Sequence, residues 1–175
     1  MHGTEQPTDP KRFFTAVIEP LRSDLYRFAL WLARDRQVAE DVVQETLLRA
    51  WRSLDSLKDK QAAKHWLLTI ARREHARLYE RKRHVIVNID ELIEVESPML
   101  ASDDHRPDDE VHTVRRAILA LDDEFREPLV LQVLMGYSTE EIAVHMNINQ
   151  GAVLTRLFRA RNRLRANLGL TVEEE

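Results

Sequence analysis

Tyr137-Ser138-Thr139-Glu140-Glu141-Ile142-Ala143-Val144-His145-Met146-Asn147-Ile148-Asn149-Gln150-Gly151-Ala152-Val153 holds a helix start, a turn and a second helix start. Ser138 and Glu141 have capping-box spacing: the hydroxyl takes the N3 backbone N–H and the carboxylate reaches back to the cap N–H. The short helix that follows turns Ile142, Ala143 and Met146 inward. Asn147-Ile148-Asn149 is a tight turn with Ile148 as a buried plug. Asn149 is a good N-cap for the next helix, from Gln150 to about Leu168. Its inner stripe is Val153, Leu157, Ala160, Leu164 and Leu168, at spacings of four, three, four and four. Short helix, tight turn and longer helix is the helix-turn-helix plan.

The outer side of that last helix is basic. Arg156, Arg159, Arg161, Arg163 and Arg165 lie between positions 150 and 168 with no acidic residue among them. In this motif the second helix puts its N-terminal turns into the major groove while cations hold the phosphates. Gln150, Thr155, Arg156 and Arg159 are placed nearest the base edges. Arg161, Arg163 and Arg165 are placed as backbone or structural contacts. Upstream, Gly136 stands where a helix C-terminus needs a left-handed residue. A helix from about Asp123 carries Leu129, Val130 and Val133 inward, and one before it carries Val114, Ile118, Leu119 and Leu121.

Residues 87–110 change character, with nine acidic residues against Arg106 alone, and with Pro98 and Pro107. This composition predicts a linker without stable structure. It divides the chain into a first domain, 10–86, and a second, 111–170. In the first, Asp9-Pro10 opens a short helix over Phe13, Phe14, Val17 and Ile18, which Pro20 interrupts. A second helix carries Leu21, Leu25, Phe28, Ala29 and Leu32. After a break at Asp35-Arg36, a third runs from about Val38 to Leu54. Val42, Val43, Leu47, Ala50, Trp51 and Leu54 point inward on it, while Asp41, Gln44, Glu45 and Leu48 share another face. On the residues alone that face reads as solvated, with a Glu45–Arg49 pair. A fourth helix, about Ala62 to Arg83, turns Trp66, Leu67, Ile70 and Ala71 inward.

From Lys64 to Ile86 seven lysines and arginines stand against Glu74 and Glu80. Trp66 and Tyr79 are interleaved with Arg72, Arg73, Arg77 and Arg81. Cations with aromatics suit single-stranded nucleic acid, where bases stack and phosphates pair. Trp66, at spacing four from Ile70, reads more readily as core. The chain of 175 residues has only four glycines and no strand-like alternation, so it reads as all-α, two small helical domains joined by an acidic linker. It has no cysteine, which excludes disulfides and thiolate metal sites. His65, His75 and His84 form no i, i+4 pair within a carboxylate cluster, so neither metal nor cofactor is expected. The net charge of −4 hides a segregated distribution. With no signal-like start and no long apolar run, a cytoplasmic protein without a membrane span is expected.

Together these segments resemble the extracytoplasmic-function (ECF) subfamily of sigma factors, within the sigma-70 family, over nearly the whole chain. Ala39-Glu40-Asp41-Val42-Val43-Gln44-Glu45-Thr46-Leu47-Leu48-Arg49-Ala50-Trp51 is similar to the family's core-polymerase-binding helix. The resemblance implies that Asp41, Gln44, Glu45 and Leu48 contact core RNA polymerase. Trp66-Leu67-Leu68-Thr69-Ile70-Ala71-Arg72 resembles the segment that opens the minus-10 element, implying contacts of Trp66, Arg72, Arg73, Arg77, Tyr79 and Arg81 with melted promoter DNA. The helix-turn-helix resembles the minus-35 reader, with Gln150, Thr155, Arg156, Phe158 and Arg159 toward duplex DNA. The resemblance implies no catalytic site, and an anti-sigma factor as a further partner. The chain departs from the family pattern at Arg73, Arg77, Ala152 and Leu154, where Leu154 replaces a frequent cation.

Three other readings compete, one of them a pure protein adaptor, which leaves the recognition helix unexplained. A stand-alone helix-turn-helix regulator would bind duplex DNA tightly without polymerase. A nuclease would need metal-binding carboxylates beside the basic surface, and the acids gather in residues 87–110 instead.

Overall fold

The computed structural model describes residues 9–86 and 109–170, which fall into two compact units. Among the described residues there is no strand.

In the first unit, the Asp9 carboxylate accepts the backbone N–H groups of Lys11 and Arg12 and starts α1 (Pro10–Phe13), with Pro10 in the first turn. Around Pro20 the α-helix is interrupted, as the sequence reading has it, although the backbone stays helical through the break. The backbone widens into a π-helical turn (Phe14–Ile18), then tightens into a 3-10 turn (Glu19–Leu21) and enters α2 (Arg22–Ala33). This change of pitch admits a residue that has no N–H and whose ring crowds the preceding turn. Arg34 ends α2 in the left-handed region (φ 58°), and Asp35 caps α3 (Arg36–Arg52) by accepting the Val38 N–H at 2.8 Å. Two 3-10 turns (Leu54–Ser56 and Lys60–Ala62) lead to α4 (Ala63–Ile86). The core between α2, α3 and α4 includes Leu25, Phe28, Val42, Leu67 and Leu68. Ion pairs also cross it: Lys64 Nζ to Asp24 Oδ2 at 3.0 Å joins α4 to α2, and Arg49 Nε to Glu74 Oε1 at 2.7 Å joins α3 to α4.

The second unit contains α5 (Asp109–Leu119), α6 (Asp123–Val133), α7 (Thr139–Met146) and α8 (Gln150–Asn167). α5 begins at Asp109, so Asp109 and Glu110, read from sequence as linker, belong to the helix. The rest of the acidic stretch lies outside the described residues. Every residue of α6 from Phe125 to Leu131 is buried, because α6 packs against both α7 and α8. Arg126 is 1% exposed, donating to the Leu121 carbonyl at 2.7 Å and to Asp123 Oδ1 at 2.5 Å. Gly136 has φ +74°, the left-handed conformation expected of it.

Three residues assigned inward are exposed. Trp51 is 47% exposed and Val133 67%, and Val114 also faces solvent. A stripe stepping by four residues rotates about 40° per step around a helix of 3.6 residues per turn. Two steps from Val43 through Leu47 therefore carry Trp51 off the buried face, and Thr46 takes the inner place. Val133, one step beyond Leu129 in the last turn of α6, swings out the same way. Val114 precedes the part of α5 that closes on α8, where Asn167 donates to the Ala117 carbonyl at 3.4 Å. Ile148, expected as a buried plug, is only half-buried.

Candidate nucleic-acid and polymerase interfaces

Both helices of the helix-turn-helix are built by local capping. The Ser138 hydroxyl accepts the Glu141 N–H at 3.2 Å and the Glu141 carboxylate accepts the Ser138 N–H at 2.8 Å, completing the capping box. Asn147 closes α7 in the left-handed region, and Asn149 Oδ1 accepts the Ala152 N–H at 2.7 Å to start α8. Val153, Leu157 and Ala160 fasten α8 to the unit, while Leu164 and Leu168 are half-buried.

The opposite side of α8 is open. Thr155 and Arg159 are exposed, Arg156 is half-buried, and Phe158 is 64% exposed. The Thr155 hydroxyl donates to the Gly151 carbonyl at 2.9 Å. Gln150 is engaged at rest: its amide donates to Thr139 Oγ1 at 2.9 Å and to Glu140 Oε1 at 2.7 Å. The Glu140 carboxyl is held below its ordinary pKa, first by its own backbone N–H and then by the Gln150 amide. The cations divide into two groups. Arg161 donates to Gln132 Oε1 at 2.5 Å, Arg165 donates to Asn162 Oδ1 at 3.2 Å, and Arg163 pairs with Asp122 while lying 4.3 Å from the Phe125 ring centre. Arg161 and Arg163 are thus tied to the rest of the unit, while the bond of Arg165 lies within α8. Leu154, which stands where the family pattern often has a cation, is 54% exposed.

In the first unit, α4 carries the basic and aromatic residues. Arg73, Arg77, Tyr79 and Arg81 are exposed, and Trp66 and Arg72 are half-buried. Trp66 thus lies between its two readings, part core and part surface. Glu74, an acid within this basic segment, is buried and accepts from Arg49 and from Arg77 Nη1 at 3.2 Å. Sequence reasoning gave Arg49 to Glu45, its neighbour one turn away. The longer-range partner on α4 could be found only once α3 and α4 were packed.

On α3, Gln44, Glu45 and Leu48 are exposed, and Asp41 is half-buried, accepting from the Gln37 amide at 3.4 Å. Trp51 extends this face. Its ring meets Phe14 edge-on at 5.3 Å and 78°. Phe14, Gln44, Leu47, Leu48 and Trp51 line an apolar hollow of about 400 Å³. Trp51 was read as inward-facing; its exposure, with the half-buried Phe14 against it, makes the two part of the surface that Leu48 marks. Among the described residues no group of His, Asp and Glu could hold a metal ion. No described helix is long and apolar enough to cross a membrane.

A helix-turn-helix unit and a basic, aromatic helical unit on one chain define a promoter-recognition factor of the sigma type. The Sigma-70 region 2 model matches residues 17–85, and the Sigma-70, region 4 model matches residues 112–164. The chain is 32% identical over 166 residues to the ECF RNA polymerase sigma factor SigM of Bacillus subtilis, covering 91% of this chain and 97% of that one. It is 34% identical over 153 residues to SigL of Mycobacterium tuberculosis, an ECF RNA polymerase sigma factor, covering 82% of each. Among solved structures it resembles the sigma factor RpoE of Bartonella quintana, in complex with the anti-sigma factor NepR. There the TM-score is 0.70 and the identity 30%, over 93% of this chain and 98% of that one. The chain belongs to the ECF sigma factors of the sigma-70 family.

Proposed function

We propose that this protein binds core RNA polymerase and directs it to promoters, with the two units dividing the task. Residues 10–86 bind polymerase and melted minus-10 DNA; residues 111–170 bind the duplex minus-35 element; residues 87–110 tether them. Asp41, Gln44, Glu45 and Leu48 meet polymerase. Trp66, Arg72, Arg73, Arg77, Tyr79 and Arg81 serve the opened strand. Gln150, Thr155, Arg156, Phe158 and Arg159 face the duplex. The protein acts in the cytoplasm without catalysis of its own, and an anti-sigma factor covers these surfaces when the system is off.

The observation that carries this reading is the acid-free α8, capped and fastened by its inner stripe, with Thr155, Phe158 and Arg159 exposed. A polyanion is the natural complement of such a face. The exposed α3 face and the cation-rich α4 support the other half of the task. Run-off transcription with purified core RNA polymerase and a genomic promoter library tests it. Protein-dependent start sites sharing two upstream elements are expected. Duplex binding without any such start site would instead make the protein a stand-alone regulator.

A further inference from the structure

We propose that Leu154 is a specificity-determining residue that takes the 5-methyl group of a thymine in the major groove, with Phe158 beside it. This rests on α8 being the helix that reads duplex DNA. Leu154 is 54% exposed and Phe158 64% exposed on that helix. Four residues apart, they are neighbours on one face, with Cβ atoms about 5–6 Å apart. A single exposed leucine means little. Here, however, two large apolar side chains stand together on a helix whose exposed side is otherwise dominated by arginine.

The position of Leu154 fixes what it can meet. It lies one turn past Gln150, in the N-terminal part of the helix that enters the groove in this motif. Arg156, Arg159, Arg161 and Arg165 share the helix with the pair, and no acidic residue occurs on α8. That charge favours a phosphate-lined groove over an apolar protein surface. Within the major groove the thymine methyl is the apolar group on the base-pair edges. The polar means of reading are meanwhile partly committed: the Thr155 hydroxyl donates to Gly151 and the Gln150 amide to Thr139 and Glu140. Leu154 therefore distinguishes thymine from cytosine by a methyl contact, and gives the upstream element a fixed thymine.

The test uses holoenzyme assembled from the full chain and core RNA polymerase on a promoter it initiates from. Each thymine of the upstream element is replaced singly by deoxyuridine, which removes the methyl alone. At one or two positions uracil should lower promoter occupancy about fourfold, the value of one buried methyl. Leu154→Ala should abolish that penalty, with helix content and assembly with core polymerase unchanged. The proposal is overturned if no position shows a uracil penalty, or if Leu154→Ala keeps it. It is equally overturned if Leu154→Ala weakens assembly with core polymerase instead, since the face would then be a protein contact. Absence of protein-dependent initiation on any promoter would sink the sigma reading itself, which the wild-type reaction reveals before any uracil is introduced.

Discussion

Thr46 lies in α3 with none of its surface exposed, and among the described residues its hydroxyl has no hydrogen-bond partner. Burying an unbonded hydroxyl costs about 1–3 kcal/mol. Thr46→Val keeps the branched shape and removes the polar atom. It should raise stability by about 1 kcal/mol, seen as a higher urea midpoint at unchanged slope. A lower midpoint would mean that the hydroxyl is bonded in solution. Thr46 also shows where residue-level reading of the sequence stops. A threonine in a helical pattern counts as polar surface, and a tryptophan counts as core. The rotation of the stripe around α3 reverses both, and only the packed bundle reveals by how much. Local hydrogen bonds are different. Ser138 with Glu141, Asn149 and Asp9 were all legible, because a cap is made within three residues of its partner.

Elements are joined here by ion pairs that the sequence does not mark. Asp24 on α2 has its pKa lowered, chiefly by the hydrogen bond from Lys64 on α4, with Arg27 adding to it. A carboxyl whose folded pKa lies below its unfolded value stabilises above the unfolded pKa. It loses that contribution as pH falls through the folded pKa. The wild-type protein should therefore lose stability relative to Lys64→Met on acidification below about pH 4, the ordinary aspartate range, and the difference should be level near neutrality. A thermal melting series across pH checks this; a difference that grows between pH 6 and 8 would assign it to another group. The pair is partly exposed, so salt should shrink the effect. Glu74 binds α4 to α3 through Arg49, its buried carboxylate also meeting Arg77 of its own helix. Glu74→Gln should cost about 1–2 kcal/mol, less than the loss from a wholly buried pair because both arginines are half exposed. Denaturant unfolding measures it, and no loss would mean that the guanidinium groups find water at no cost. On the proposed reading the same change should weaken both polymerase binding and promoter opening, because it loosens one helix from the other.

At the scale of the molecule, the all-α class and the order of the elements followed from periodicity, caps and scarce glycine. The helix-turn-helix was the most legible site for the same reason: its cap, turn and basic face are contiguous in sequence. The α3 surface was less legible, since the hollow beside Leu48 needs Phe14, which is more than thirty residues away along the chain. On the proposed reading, two weak sites on one chain raise each other's effective concentration. Cutting the chain between the units, within residues 87–108, should abolish promoter-directed initiation at nanomolar protein, although each half keeps its fold by circular dichroism. Full activity of the mixed halves at that concentration would show that the tether contributes nothing. The bond from Gln150 to Glu140 has a consequence in time. On the proposed reading, an amide at the groove-entering end of α8 is occupied by the protein's own carboxylate before DNA arrives, and a base displaces it. Sliding over unrelated sequence leaves that bond shut and the encounter brief; a matching base exchanges partners and holds. Discrimination then resides in how long a complex lasts and not in how fast it forms, so Gln150→Ala should shorten residence on the promoter while the arrival rate stays the same.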